Sequence, residues 1–185
     1  YRNFSAEGLE KITSDGFMCL ANNTSTIKPN YSMDEDGNPK SHAKAGVPDI
    51  ECYLENFNLI CEVTKLTGRE QWYSESVPIA RHLNDFEKNN LDKDNYCLFI
   101  APRIHNDGMW AIWCCVKHGY LDGSHQKIVP ISIEKFVNLI NHFSDAVNFE
   151  DILQDFMDRC LDIENINDFE GWREHINSIF DQILA

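Results

Sequence analysis

Two short apolar runs joined by a three-residue turn, with a helix-patterned segment directly behind them, constrain this chain more than any other feature. Residues 50–54 (Ile-Glu-Cys-Tyr-Leu) and 58–64 (Asn-Leu-Ile-Cys-Glu-Val-Thr) have strand length and composition, and Glu55-Asn56-Phe57 leaves room for little but a hairpin. Residues 67–82 then change to helical patterning. Thr67 followed by Glu70 matches a capping box, and Pro78 is expected to bend that helix or end it early. Further strand-like runs follow at residues 96–101, 110–116 and, more briefly, 127–131. Residues 4–14 read as a short helix through Phe4, Leu9 and Ile12. Helical spacing returns at Ile133, Phe136, Val137 and Ile140, at Phe149, Ile152, Leu153 and Phe156, and at Trp172, Ile176, Ile179 and Phe180. Residues 22–46 are polar and rich in turn formers (Pro29, Gly37, Pro39, Gly46) and read as a long loop. This order predicts an α/β fold, a mixed sheet flanked by helices, with a helical C-terminal extension.

The chain has 185 residues, 43% of them hydrophobic and eleven of them Phe, which suits one domain with one core. No apolar run approaches the roughly 20 residues of a membrane span. Tyr1-Arg2-Asn3-Phe4 does not open an apolar secretory segment, so a cytoplasmic protein without a membrane partner is expected. Seven cysteines (Cys19, Cys52, Cys61, Cys97, Cys114, Cys115, Cys160) form no CxxC pair and are odd in number, which points to free thiols rather than a disulfide framework or structural zinc. Cys114, Cys115 and His118 come nearest to a metal cluster, but adjacent residues of a strand face opposite ways.

A formal net charge of −14 is awkward for a protein that holds DNA, whose phosphates demand Lys and Arg. Residues 132–185 carry 12 acidic and three basic residues, against 18 and 13 in residues 1–131. The last third is therefore expected to make a poor DNA face, serving as a solvated helical surface or a partner site.

The chemistry-bearing segment is Gly46-Val47-Pro48-Asp49-Ile50 with Cys61-Glu62-Val63-Thr64-Lys65. A hairpin turning about Asn56 sets Asp49 across from Val63, to within one residue of register, and Glu62 and Thr64 flank it. Two carboxylates about 5 Å apart repel by roughly 3 kcal/mol at an effective dielectric of 20. A divalent cation turns that repulsion into binding, and hard carboxylate oxygens suit Mg2+. Such an ion activates water and stabilises charge on a phosphate. Pro-Asp is also a common turn dipeptide, and a strand Glu often just faces solvent. Glu62, however, stands between Leu59-Ile60-Cys61 and Val63, where an idle charge is unusual. On the next helix Gln71, Glu75 and His82 can share one face. Glu75 would widen the metal site and His82 would contact phosphate or position water; the alternative is an ordinary exposed helix face. Arg69 and Arg81 are the local candidates for phosphate contacts.

Val47-Pro48-Asp49-Ile50-Glu51, Ile60-Cys61-Glu62-Val63-Thr64, Thr67-Gly68-Arg69-Glu70-Gln71, Glu75 and the stretch from Pro78 to His82 resemble the AlwI-type restriction endonucleases, bacterial type IIS enzymes and their nicking relatives. The match is specific over about residues 46–83. The resemblance implies a PD-(D/E)XK restriction-endonuclease-like fold and Mg2+-dependent phosphodiester hydrolysis beside a short asymmetric site. It assigns Asp49 and Glu62 as paired metal ligands and Glu75 and His82 as further active-site positions. Thr64 stands where the wider superfamily has its lysine, and Lys65 points to the other strand face. A first-helix glutamate often completes such sites, here Glu10, with Glu7 the alternate.

Relatives carry a large DNA-reading region before this domain, whereas this chain begins a few dozen residues before Asp49. The expectation is a single nuclease domain over residues 1–185, without a separate recognition domain. It resembles the small subunit of a heterodimeric type IIS endonuclease, binding double-stranded DNA weakly alone while a large nicking subunit reads the site and cuts the other strand. Competing readings are a non-catalytic acidic partner with a degenerate nuclease fold, and a repair or junction-cleaving nuclease of the same superfamily.

Overall fold

The computed structural model describes residues 4–144, 146 and 148–185. The chain runs α1 (Ala6–Leu20), β1 (Thr26–Pro29), β2 (Ser32–Met33), β3 (Pro39–Ser41), β4 (Ile50–Tyr53), β5 (Phe57–Val63), α2 (Arg69–Asn89), β6 (Asp94–Ala101), α3 (Asn106–His118), β7 (Ile128–Ser132), α4 (Ile133–Phe143), α5 (Phe149–Leu161) and α6 (Phe169–Ile183). The main sheet has the order β1-β4-β5-β6-β7. It is mixed, as the sequence predicts: β1, β4 and β5 pair antiparallel, and β5, β6 and β7 pair parallel. A parallel strand covered on both faces should be apolar throughout, and β5 is buried at every position. Helix α1 packs on β1, β5 and α4, whereas α2 packs on β6 and α3. The last two helices pack on each other, α5 against β7 and α6 against α3, where Trp113 and Trp172 meet at 5.5 Å. Among the described residues no helix is long and apolar enough to cross a membrane.

Several elements differ from expectation. Residues 110–116 lie in helix α3, not in a strand. Seven apolar residues do not distinguish the two by periodicity, but the wider window does: Met109, Ile112, Trp113 and Val116 form the buried face. His105 caps the N-terminus by accepting from the Asp107 N–H at 3.2 Å. Gly119 ends the helix at φ +89°, where a Cβ would stand 2.5 Å from the Gly123 carbonyl oxygen. Cys114 and Cys115 are thus half-buried helix neighbours and free thiols. The expected loop 22–46 contributes edge strand β1 to the main sheet and folds β2 and β3 into a hairpin. Local sequence conceals β1, because half its positions are exposed and its partner β4 is remote. Helix α1 extends beyond residue 14 to Leu20 and starts at Ser5, whose Oγ accepts from Gly8 N–H at 3.0 Å. Helix α2 starts after Gly68 without a side-chain cap, so the Thr67–Glu70 capping box does not form. Nor does Pro78 end α2, which continues to Asn89 because Ile79, Ala80, Leu83 and Phe86 bury its inner face.

Candidate active site

The β4–β5 hairpin sets the floor of one polar cleft. Its register pairs Ile50 with Cys61, which sets Asp49 opposite Glu62, one residue from the expected Val63. Partners in register share a sheet face, so both carboxylates project the same way. Asp49 is fixed from below, its Oδ2 accepting the Val63 N–H at 2.7 Å. Helix α2 supplies one wall with Glu75, Pro78 and His82, α1 supplies the opposite side with Ala6 and Glu10, and residues 42–47 cover the top. The cleft has a volume of about 240 Å³.

Four acids thus converge from α1, the start of β4, β5 and α2. Glu10 and Glu62 are 2% and 5% exposed, values at which an unpaired carboxylate is costly. Burial raises the Asp49 pKa well above the usual carboxylate range, and Glu62 and Glu10 add to it by repulsion. Burial does the same to Glu62, reinforced by Glu75 and Glu10. Glu10 and Glu75 are also raised by burial, against the opposing hydrogen bonds of His42 and Thr64 respectively. Nothing in packing rewards such a cluster, whereas a cation would stabilise it.

Two histidines engage the acids. His82 Nδ1 lies 2.7 Å from Glu62 Oε1, while its Nε2 is buried without a partner. Burial first, and Arg81 second, lower the His82 pKa. With Glu62 ionised, as a bound cation would keep it, a neutral imidazole must donate from Nδ1, which leaves a lone pair on Nε2. His42, which sequence reasoning missed, bridges Glu10 Oε1 at 2.7 Å and Glu7 Oε1 at 2.9 Å. Its pKa is raised, chiefly by the Glu10 hydrogen bond. His42 lies in a polar segment with no periodicity, and only the β2–β3 hairpin carries it to α1. Lys44 lines the same cleft.

The structure therefore brings Glu10, Asp49, Glu62, Thr64, Glu75 and His82 together. Glu7 stays behind His42 rather than in the cleft. Gln71, expected on the same stripe as Glu75, is instead buried between loops, donating to the Leu66 and Arg103 carbonyls and accepting from His105 N–H. Arg69 is exposed and 3.9 Å from Asp107, Arg81 is exposed, and Lys65 donates to the Phe4 carbonyl. None of the three lines the cleft.

Among the described residues no three His, Cys, Asp or Glu side chains are grouped tightly enough to hold a metal ion as they stand. Mutual repulsion and the Val63, His82 and His42 contacts account for this spread. Each of Asp49, Glu62 and Glu10 keeps one oxygen that those contacts do not use, and Glu10 Oε2 is buried without a partner. The donor set, hard oxygens with an uncompensated negative charge, fits a small divalent cation.

The family model of the AlwI restriction endonucleases matches residues 5–139, which include all of these elements. A solved structure, the small subunit of the heterodimeric restriction endonuclease R.BspD6I, superposes with a TM-score of 0.77 at 21% identity, covering 95% of this chain and 89% of that one. At that identity the likeness is one of fold. No protein of curated function matches the chain. With well over half its length matched by the family model, this chain belongs to the AlwI restriction endonuclease family.

Proposed function

We propose that this chain is the small catalytic subunit of a heterodimeric type IIS restriction endonuclease of the PD-(D/E)XK type. It hydrolyses one strand of double-stranded DNA in a bacterial cytoplasm, while a large subunit recognises the site and cuts the other strand. The observation that carries this reading is the convergence of Glu10, Asp49, Glu62 and Glu75 on one cleft, in a protein of a nuclease family. Residues 1–185 act as a cleavage domain, and the heterodimer reading follows the fold relative, which is the small subunit of a heterodimeric restriction endonuclease.

Asp49, Glu62 and Glu75 would hold Mg2+, with Glu10 the adjacent acid. When bound, the ion supplies positive charge for a phosphate that gains negative charge and lowers the pKa of a nearby water. The chain's own residues do the rest. Val63 N–H and His82 Nδ1–H hold Asp49 Oδ2 and Glu62 Oε1, leaving the other oxygen of each for the ion. His82 Nε2 accepts a hydrogen bond from the attacking water and orients its lone pair, a task that Thr64 cannot perform as the superfamily lysine would. Thr64 instead lines the cleft with Glu75, its Oγ1 accepting the Leu66 N–H at 3.2 Å. A degenerate, non-catalytic copy would have no reason to keep two buried and two half-buried carboxylates in mutual repulsion.

The test pairs an Asp49→Asn chain with its wild-type large subunit on strand-labelled DNA. The expected product is a nick in the large subunit's strand alone, with cleavage of the second strand reduced by at least about 100-fold, the scale of losing several kcal/mol of charge stabilisation. Mg2+ should raise the melting temperature of the isolated wild-type chain and leave that of Asp49→Asn almost unmoved. A double-strand break by the variant complex overturns the assignment.

A further inference from the structure

A second cleft, of about 250 Å³, opens where β6 and β7 end and α4 begins, with α6 closing one side. Its lining includes Arg103, Lys135 and Arg173. That concentration is unexpected in a chain of net charge −14, and more so here, because Lys135 and Arg173 are two of the three basic residues in positions 132–185. Among the described residues none of the three makes an ion pair, although Lys11, Lys28, Arg69, Lys88, Lys127 and Arg159 do.

The side chains are positioned rather than free. Lys135 is half-buried, with Nζ 2.6 Å from Asn177 Oδ1 and 4.3 Å from the Phe180 ring centroid. The Arg173 guanidinium lies 5.6 Å from the Phe169 ring centroid, and its Nη2 is buried with no hydrogen-bond partner. A buried donor without an acceptor is expensive, and an entering anion would satisfy it. Ser132 caps α4, its Oγ accepting from Lys135 N–H at 3.2 Å, so the positive end of that 11-residue helix opens into the same cleft.

Position in the sheet identifies the anion. Strands β5, β6 and β7 are parallel, so their C-terminal ends share one edge, and the register aligns Val63 with Ile100 and Ile100 with Ile131. Ser132 therefore stands level with Thr64 of the acidic cleft, two strand spacings away. At about 4.8 Å per spacing this is ~10 Å, the axial length of about three nucleotides. The acidic cleft takes the scissile phosphate on the proposed reading, and a backbone leaving it along the sheet edge meets the basic cleft next.

We propose that Lys135 and Arg173, with Arg103 at the rim, bind a non-scissile phosphate of the DNA backbone on the β7 side of the acidic cleft. The site reads no base; it fixes where the backbone runs. This inference rests on the nuclease reading for the direction of the strand, not for the chemistry of the anion.

The test uses the full chain in an Asp49→Asn background and a fluorescein-labelled duplex of arbitrary sequence. Binding is followed by anisotropy from about 20 to 200 mM salt, the range over which phosphate contacts show their salt dependence. Lys135→Gln and Arg173→Gln should each weaken binding about fivefold at low salt. The double variant should flatten the plot of log affinity against log salt by about one to two contacts. Lys135→Arg and Arg173→Lys should retain most of the affinity, which separates charge from packing, and circular dichroism checks the fold of each. Lys88→Gln, at the far end of α2, should change nothing. Inorganic phosphate and a nucleoside monophosphate are titrated in parallel. Failure of the background chain to bind duplex at low salt, wild-type salt slopes in the double variant, or tight binding of free phosphate with duplex affinity independent of Lys135 and Arg173 would each overturn the proposal. Cutting in the Asp49→Asn background counts against the assignment of Asp49 to the catalytic site alone, because the phosphate site is judged on binding.

Discussion

Glu51 and Glu62 lie on adjacent strands and are both buried, yet their surroundings shift them in opposite directions. Burial opposes ionisation of Glu51, but the Tyr53 hydroxyl at 2.5 Å, the Asn30 amide at 2.9 Å and the Lys28 ammonium at 3.0 Å outweigh it and hold its pKa below the usual value. Burial raises the Glu62 pKa, and repulsion from Glu75 and Glu10 adds to it. One carboxylate is satisfied by the protein, and the other would be satisfied by the cation proposed above. The depressed pKa of Glu51 contributes stability that is present above its unfolded value near 4.5 and is lost as pH falls through the folded pKa. Glu51→Gln should therefore cost about 1–2 kcal/mol at pH 7, the scale of a hydrogen bond to a charged group. The difference from wild type should shrink towards zero in urea melts below pH 4, and a difference independent of pH would show that the ionised form has no such role.

At the scale of elements, α2 decides whether the site exists, because one face of a single helix holds both Glu75 and His82. Its N-terminal turn is fixed by Gln71, which bonds to Leu66 O at 2.7 Å, Arg103 O at 3.0 Å and His105 N–H at 2.8 Å. One side chain thereby ties the β5–α2 loop to the β6–α3 loop. Gly108 permits it, since a Cβ there would stand 3.3 Å from Gln71 Oε1. Removing three buried partners at once should be costly. Gln71→Ala is expected to destabilise the chain by about 2–4 kcal/mol, measured as a lower urea midpoint at unchanged slope. A loss below about 0.5 kcal/mol would mean that water replaces the amide without penalty.

For the whole molecule the decisive quantity is charge. A surface of net −14 repels a polyanion in most orientations, and the basic cleft of Arg103, Lys135 and Arg173 on the C-terminal sheet edge forms a small exception. The isolated chain should bind duplex measurably at low salt and weakly at about 150 mM, with no preference for sequence. A large subunit that reads the site would raise the effective concentration of this chain at the scissile phosphate without any new contact to bases. Anisotropy titrations on specific and scrambled duplexes check this, and tight sequence-specific binding by the chain alone would contradict it.

Local sequence determined the pieces whose signal is local. The hairpin, the mixed α/β order, the helical C-terminal third and the pairing of Asp49 with Glu62 to one residue follow from apolar periodicity and turn length, which nearest neighbours along the chain dictate. Tertiary structure decided the rest, for physical reasons that no window of sequence holds. Strand β1 exists because β4 offers it a hydrogen-bonding edge, and α2 runs through Pro78 because the sheet buries its inner face. Residues 110–116 became helix because α2 and α6 pack against the face that Met109 and Trp113 complete. His42 reached Glu10 across 32 residues through a hairpin that reads as loop, and Gln71 left the acidic stripe for two carbonyls that only folding brings near. Charge shows the same division. Sequence counted three basic residues in the last third, and only the fold placed Lys135 and Arg173 in one cleft on the edge that also holds Asp49 and Glu62, because parallel strands bring all their C-terminal ends to one side.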